Sequence, residues 1–340
     1  MLDLLKKYCD ISSPSGNEEK LREEILKDIK GFATSVSVDN LGNIIAFKKG
    51  KQAPSKKVML DAHMDEIGFM ITNIDENGYL KFNNLGGIDS KVIFGKRVKI
   101  NDNVFGVIGG APVHLLDAEE RKKVQKQDSL YIDIGAKDKA DAQSLVKLGD
   151  VAVFDTEFID MGEKISARGL DDKIGCAILV DLIKTELEYD TYFSFSVQEE
   201  IGCRGAAVTS FAISPDCAIT VEATTAADIF GVPEDKTVCV LGEGVALSLM
   251  DNGTLYDKNL VHSVLELAKK NDLKAQLKTA VAGGTNASVI HKSKNGVKTI
   301  NIALPTRYIH SAYCVAHKSD ILNMRKLVEI TASSLANGEL

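Results

Sequence analysis

Tryptophan is missing from this 340-residue chain and aromatic residues make up only 6% of it, so flat apolar platforms for stacking carbohydrate rings are scarce. No apolar run approaches the roughly 18 residues of a membrane-crossing helix. The opening Met1-Leu2-Asp3-Leu4-Leu5-Lys6-Lys7 reads as an amphipathic helix rather than the apolar stretch of an export signal. The six cysteines, Cys9, Cys176, Cys203, Cys217, Cys239 and Cys314, are scattered, and none forms a C-x-x-C pair. That pattern excludes a zinc knuckle or a thiol-exchange motif, and leaves buried thiols in a reducing cytoplasm as the expectation. With 48 Asp plus Glu against 41 Lys plus Arg, the formal charge is −7. No polybasic block is present to neutralise phosphates, so nucleic acid and membranes are not expected partners. Also absent are H-E-x-x-H, G-x-S-x-G, a phosphate-binding G-x-x-x-x-G-K-[ST], and G-x-G-x-x-G after a strand.

What remains is a folded chain with 44% hydrophobic and 26% charged residues, long enough for about two domains at roughly 150 residues each. Leu21, Ile25 and Ile29 recur at helical spacing, and Asn40-Leu41-Gly42-Asn43 punctuates two β-prone runs before a strand at 58–63. From about residue 66 to 162 the texture turns to short β-prone stretches at 68–74, 92–100, 104–108, 130–134 and 151–154, with charged helical pieces near 119–126 and 138–147. A small β-barrel or sandwich fits this segment. Beyond it, strands at 192–197, 217–221 and 297–304 alternate with helices at 172–186, 255–271 and 320–336, the rhythm of an α/β layer with a largely parallel sheet. The expected plan is one α/β domain made from 1–65 and 163–340, with a β-rich domain, 66–162, inserted into it.

Chemistry-bearing residues collect where those strands end, the place where ligand crevices form in open α/β sheets. His63 and Asp65 follow the strand ending at Leu60. Asp171-Asp172 opens a helix, Gln198-Glu199-Glu200 closes a strand, Glu222 ends another, and His310 follows the strand at 297–304. Singly, each reads equally well as a loop hydrogen-bonder, a helix cap or a solvated acid. Gathered at one sheet edge, two imidazoles and several carboxylates form the donor set that divalent zinc, cobalt or manganese accepts. A carboxylate bridging two ions about 3.5–4 Å apart suits this inventory. Because neighbours in an extended strand face opposite ways, only one of Glu199 and Glu200 faces a given metal unless the strand has already ended.

The segments Asp61-Ala62-His63-Met64-Asp65-Glu66, Gly169-Leu170-Asp171-Asp172-Lys173, Gln198-Glu199-Glu200-Ile201-Gly202 and Pro305-Thr306-Arg307-Tyr308-Ile309-His310-Ser311 together resemble metallopeptidase family 42, the TET-type aminopeptidases, some of which carry an old endoglucanase label. The resemblance runs along nearly the whole chain. It implies a three-layer α/β/α sandwich with an inserted β-rich, PDZ-like domain for dimerisation and substrate access. It implies a cytoplasmic aminopeptidase acting on short peptides and assembling into dimers and a hollow dodecamer. Two divalent metal ions per subunit would be held by His63, Asp171 and Glu222 and by Asp171, Glu200 and His310, with Asp171 bridging through a cis peptide bond to Asp172. Glu199 would be the general base and acid acting on a metal-bridging water, and Asp65 the acid that fixes the tautomer of His63.

Two departures stand out. Glu222 replaces a commoner Asp, which keeps a carboxypeptidase or an acyl-amino acid deacylase in view and makes Asp228 a reserve ligand. Gly283-Gly284-Thr285-Asn286-Ala287 has Asn286 where an Asp is expected; the lost negative charge favours an acidic or neutral first residue over a basic one. A non-catalytic assembly protein of the same fold is a further alternative. His114, His262, His291 and His317 are expected to be surface or capping residues.

Overall fold

The computed structural model describes residues 1–340. Its main sheet runs in the spatial order Ser35–Val38, Ile44–Lys48, Thr191–Ser196, Val58–His63, Cys217–Thr225, Lys298–Arg307, Cys314–His317, Lys164–Ala167, Ile159–Met161. The four strands from Thr191–Ser196 through Lys298–Arg307 are mutually parallel, and the flanking strands are antiparallel. Parallel strands covered on both faces need apolar side chains on both. Val58–His63 shows how: Val58, Leu60 and Ala62 enter one core, while Met59 packs with Ala206 and Ile213 on the opposite side.

The helices divide accordingly. Leu2–Asp10, Glu19–Ile29, Leu170–Ile183, Lys258–Lys270 and Lys318–Asn337 contribute to the larger core, and Arg204–Ile213 and Ala287–Ile290 to the smaller one, which makes three layers. Leu170–Ile183 is buried along nearly its whole length, as expected of a helix that is apolar all round. None of the helices is long and apolar enough to cross a membrane.

Six strands, in the order Gly68–Ile74, Leu80–Leu85, Tyr131–Asp133, Val104–Gly109, Arg97–Ile100 and Val151–Phe154, close into a barrel. Phe69 anchors its separate core, meeting the rings of Phe82 and Phe154 edge-on at 5.1 and 5.2 Å. Closure removes the exposed edges a small sheet otherwise leaves.

Several local expectations shift. The strand expected at 217–221 continues to Thr225, so Glu222 lies within it. The stretch 92–100 is a strand only over Arg97–Ile100, and 119–126 forms a single short turn at Glu120–Lys122. Leu80–Leu85, with its Asn83-Asn84 pair, carries too weak a β signal to be read beforehand. Arg204–Ile213 is likewise silent in sequence, because small residues such as Gly205, Ala206 and Ala207 give it little amphipathic contrast. Ile159–Met161, inside the expected insertion, pairs with Lys164–Ala167 in the main sheet.

Candidate metal centre

At the carboxyl edge of the parallel strands the chain brings His63, Asp171, Glu200, Glu222 and His310 together. His63 ends its strand with its ring buried; Nδ1 donates to the Asp65 carbonyl at 2.9 Å, and Nε2 faces Asp171 Oδ1 at 3.4 Å and Glu222 Oε2 at 3.6 Å. His310, with φ +58, is turned inward after the strand Lys298–Arg307. Its Nδ1 donates to the carbonyl of Gly87 at 2.9 Å, and Nε2 faces Asp171 Oδ2 at 3.3 Å and Glu200 Oε2 at 3.4 Å. Gly87 belongs to the loop leaving the barrel strand Leu80–Leu85, so the barrel orients one of the two imidazoles. In both rings the outer nitrogen is spent on a carbonyl and the inner one is directed at carboxylates, which is how metal-ligating histidines are held.

Asp171 therefore reaches one imidazole with each oxygen. The peptide bond from Asp171 to Asp172 is cis. Asp171 Oδ1 and Glu200 Oε1 are buried without a hydrogen-bond partner, an arrangement buried polar atoms seldom tolerate unless something else binds them.

Two triplets have donor atoms within 4.8 Å of one another: His63, Asp172 and Glu222, and Asp171, Glu200 and His310. Asp172 enters the first triplet although the sequence singles out only its neighbour. Its oxygens, however, accept the backbone N–H groups of His63 at 3.2 Å and Gly175 at 3.0 Å, which makes it a brace between strand and helix.

The electrostatics are opposed across the cluster. Burial pushes the carboxyls of Glu200, Glu222 and Asp172 well above the usual range. Burial works against a charged His63, yet the facing carboxylates of Asp171 and Asp65 hold its pKa well above normal. For His310 the burial penalty is again overcome by Asp171 and Glu200, which raise it to about 9. Asp171 stays below the ordinary value: burial opposes ionisation, but both imidazoles favour it. Crowded acids with two imidazoles among them fit divalent cations, which offset the charge the acids cannot carry together.

Glu199 and Glu200 both point inward because the strand has ended at Ser196 and Gln198 adopts φ +57. Asp65 accepts the backbone N–H groups of Glu199 at 2.9 Å and Glu200 at 3.1 Å, and the Ser15 hydroxyl at 2.6 Å. Its carbonyl lies closer to His63 Nδ1 than its carboxylate, which stands at 3.3 Å; the side chain mainly anchors the acidic turn. Glu18 accepts the next N–H along, that of Gln198, at 3.2 Å. Burial pushes the Glu199 carboxyl up to about 7, with the charges of Asp65 and Asp171 adding to the rise against His63. The Cys203 thiol donates to Glu199 Oε1 at 3.4 Å; unlike the other five cysteines it is only half-buried, and all six are free.

Behind the cis peptide, Glu66 Oε1 accepts from Lys173 Nζ at 2.7 Å, from the Ser13 backbone N–H at 3.0 Å, and from Arg168. Lys173 also donates to the Ile11 carbonyl at 2.6 Å. All three charged side chains are buried.

Two sequence readings need correction. Asp228 is no reserve ligand: it receives a bidentate pair from Arg307, at 2.8 and 2.7 Å, and the Leu241 N–H. Asn286 is fully buried, and its amide donates to Asp61 Oδ2 at 2.8 Å and to Ser196 Oγ at 2.9 Å. The acid missing at 286 is thus present across the contact at 61, and the argument from a lost charge fails. Of the remaining histidines, His317 caps the last helix through Ser319 N–H, His291 donates to the Ala287 carbonyl at 2.7 Å, and His114 and His262 are exposed.

A cavity of about 220 Å³ opens onto Asp171, Glu199, Glu222 and His310, walled by Thr224, Thr225, Ile309, Lys278 and the glycine-rich loop from Ala282 to Thr285. Residues 42–327 match the family model of M42 glutamyl aminopeptidases. A putative aminopeptidase of Acetivibrio thermocellus is 39% identical over 96% of this chain and 97% of its own. The lysyl aminopeptidase of Pyrococcus furiosus is 33% identical over 98% of this chain and 97% of its own. The solved TET1 peptidase of Pyrococcus horikoshii, described as assembling into a tetrahedron or a large octahedral shell, superposes with a TM-score of 0.85 at 35% identity over 99% of both chains.

Proposed function

The chain belongs to the M42 glutamyl aminopeptidase family, a family of peptide-bond hydrolases, and from that premise we propose that it removes N-terminal residues from short peptides with a pair of divalent cations. The observation that carries the reading is Asp171, whose two oxygens each face a different imidazole. In this assignment His63, Asp171 and Glu222 hold one ion, and Asp171, Glu200 and His310 the other. The mixed imidazole and carboxylate donors suit zinc or cobalt, and also manganese. When bound, such a pair acidifies water and polarises the scissile carbonyl.

The chain's own residues supply proton transfer and orientation. Glu199, with a carboxyl near 7, is matched to taking a proton from the attacking water and returning it to the leaving amine at neutral pH. Asp65 and Glu18 keep it aimed by fixing three successive backbone amides. The carbonyls of Asp65 and Gly87 hold the two imidazoles in the tautomer that presents Nε2.

The deciding experiment replaces Glu199 with Gln and measures bound metal beside hydrolysis of amino-acid anilides. Activity is expected to fall by roughly 10²–10⁴-fold with metal content unchanged. Full activity in this variant would sink the mechanism, and preferential cleavage of N-blocked peptides by the natural chain would assign the site to a carboxypeptidase or a deacylase instead. The six free cysteines fit a reducing cytoplasm. Phe94, Phe105, Val113 and Leu115 expose apolar surface on or beside the barrel, which suits burial against further copies in a dimer or dodecamer; light scattering showing only monomer would exclude that assembly.

A further inference from the structure

The strand that carries Glu222 is paired on both sides only over its first part. Cys217–Thr225 runs beside Lys298–Arg307 to its last residue, Thr225 opposite Thr306, but its register with Val58–His63 stops at Thr220 opposite Asp61. In a parallel sheet successive residues direct their N–H and C=O groups alternately to the two neighbouring strands. The Ala226 N–H donates to the Thr306 carbonyl at 2.9 Å, and the Cys217 N–H to the Lys57 carbonyl at 3.1 Å. Even-numbered residues therefore face Lys298–Arg307, and odd-numbered ones face Val58–His63. The His63 N–H stands next in line for the Val221 carbonyl but donates to Asp172 Oδ2 at 3.2 Å instead. Gly175 occupies the place beside that carbonyl, where a Cβ would come within 2.3 Å of the oxygen. The ladder ends there, and the two odd-numbered residues beyond it, Ala223 and Thr225, have no strand to face.

They face the cavity, which Glu222, Ala223, Thr224 and Thr225 line along one side. The Ala223 N–H, the Ala223 carbonyl and the Thr225 N–H make no hydrogen bond to a loop or a side chain; only the Thr225 carbonyl is used, by the Cys239 thiol at 3.3 Å. Ala223 is 7% exposed, and backbone groups so withdrawn from water are seldom left without a partner. Across the cavity, Gly283 and Gly284 have no heavy atom within 4 Å of where a Cβ would stand, which leaves room for a chain between loop and edge. An extended peptide repeats its hydrogen-bonding groups every second residue, about 6.6–6.8 Å apart, the interval that separates Ala223 from Thr225.

Resting on the aminopeptidase reading above, we propose that the substrate binds as an added parallel strand on this free edge, running outward from Glu222 past Ala223 and Thr225. The direction follows from the centre: Glu222, a candidate ligand, precedes Ala223, and a peptide cut at its amino end extends away from the cut. Parallel pairing assigns the three free groups to two peptide residues. The Ala223 N–H donates to the carbonyl of one; the residue two further on donates its N–H to the Ala223 carbonyl and accepts the Thr225 N–H. The recognised class is an extended, unstructured chain of about three or four residues or more, held by its main chain.

The test compares kcat/KM for Leu-Ala-Ala-Ala with forms N-methylated at the third or at the fourth residue. One of the two is expected to lose roughly tenfold or more, because the Ala223 carbonyl is stranded. The other, whose N–H points away from the edge, should stay within about twofold. Thr225→Pro removes one donor from an edge position, where proline is tolerated. It should lower the ratio of kcat/KM for the tetrapeptide to that for leucyl-p-nitroanilide, which has no residue beyond the cut, by roughly 3- to 10-fold. Thr225→Val keeps the N–H and should keep the ratio. Should the proline variant fail to fold, the N-methyl pair decides alone. Equal tolerance or equal loss at the two N-methyl positions, an unchanged ratio in Thr225→Pro, or the same fall in Thr225→Val overturns the edge-strand assignment and leaves the aminopeptidase reading intact. Failure to cleave any free-amine substrate, with N-blocked peptides cleaved, overturns both.

Discussion

Replacing Glu66 with Gln tests whether the charged cluster beneath the acidic helix start is structural. Glu66 is the one carboxylate between two buried cations, Arg168 and Lys173. Burial alone would raise its carboxyl; the two cations overcome this and hold it at about 2 instead of 4.5. A fall from 4.5 to about 2 corresponds to about 3 kcal/mol at neutral pH. The usual loss on removing one partner from a buried pair, about 3–5 kcal/mol, agrees. Glu66→Gln preserves the shape and removes the charge, so urea unfolding at pH 7 with a chelator present should show a deficit of about 3 kcal/mol. The sign with pH follows from a depressed acid. The stabilisation is fully present above about 4.5 and is lost as pH falls toward 2, so the gap between the natural chain and the variant should be more than halved by about pH 3. A deficit below about 1 kcal/mol at pH 7, or one that does not change with pH, would show that the two cations are satisfied without Glu66.

Three other outcomes follow from the same structure. Glu18→Gln loosens the anchor on Gln198, and kcat should fall about tenfold with KM little changed; because burial and Asp65 hold Glu18 up at about 7, its ionisation weakens the fold as pH rises from about 4.5 through 7, so the variant should gain stability at pH 8 relative to pH 5, and unchanged kcat would refute the anchoring role. Asn286→Asp sets an acid against buried Asp61 and should cost about 1–3 kcal/mol in chemical denaturation; the double variant with Asp61→Asn should recover most of it, and additive losses would show the two side chains are not coupled. Chelation should lower the melting temperature and abolish activity, with both restored by zinc, cobalt or manganese; a melting temperature indifferent to chelator would argue that the buried acids are not metal ligands.

The layered fold and the gathering of acids were legible because they obey strong local rules. Parallel strands end on one edge of a sheet, so His63, Glu200 and His310 had to arrive on the same side once the βα rhythm was recognised. Glu222 reaches that edge from within a strand that runs four residues further than the expected 217–221, a boundary set by pairing with Pro305 and Thr306 on the neighbouring strand. What the sequence hid were contacts between remote side chains with no spacing rule. Asp61 and Asn286 lie far apart in the chain and meet only through the tertiary fold. Gly87 is invisible as a partner of His310 because it acts through its carbonyl, which every residue possesses. Lys278 reads as an ordinary surface lysine until the glycine-rich loop is seen to fold over it.

The adjacent acids show how the two kinds of information combine. Alternation along a strand forbids Glu199 and Glu200 from facing one site, so either one of them is idle or the strand stops first. It stops at Ser196, and Gln198 turns through a left-handed conformation. That turn leaves three consecutive N–H groups, those of Gln198, Glu199 and Glu200, without strand partners. Glu18 and Asp65, from two other segments, accept all three. Ser15 ties those segments together through its hydroxyl on Asp65, so the first loop of the chain is fastened to the turn that aims the base. A half-buried turn keeps few unpaired amides; satisfying them with carboxylates rather than carbonyls places the charge of Asp65 beside the acids. The aim of Glu199 is therefore held in part by a group that crowds its own charge: Asp65, which fixes its backbone N–H, also raises its affinity for a proton.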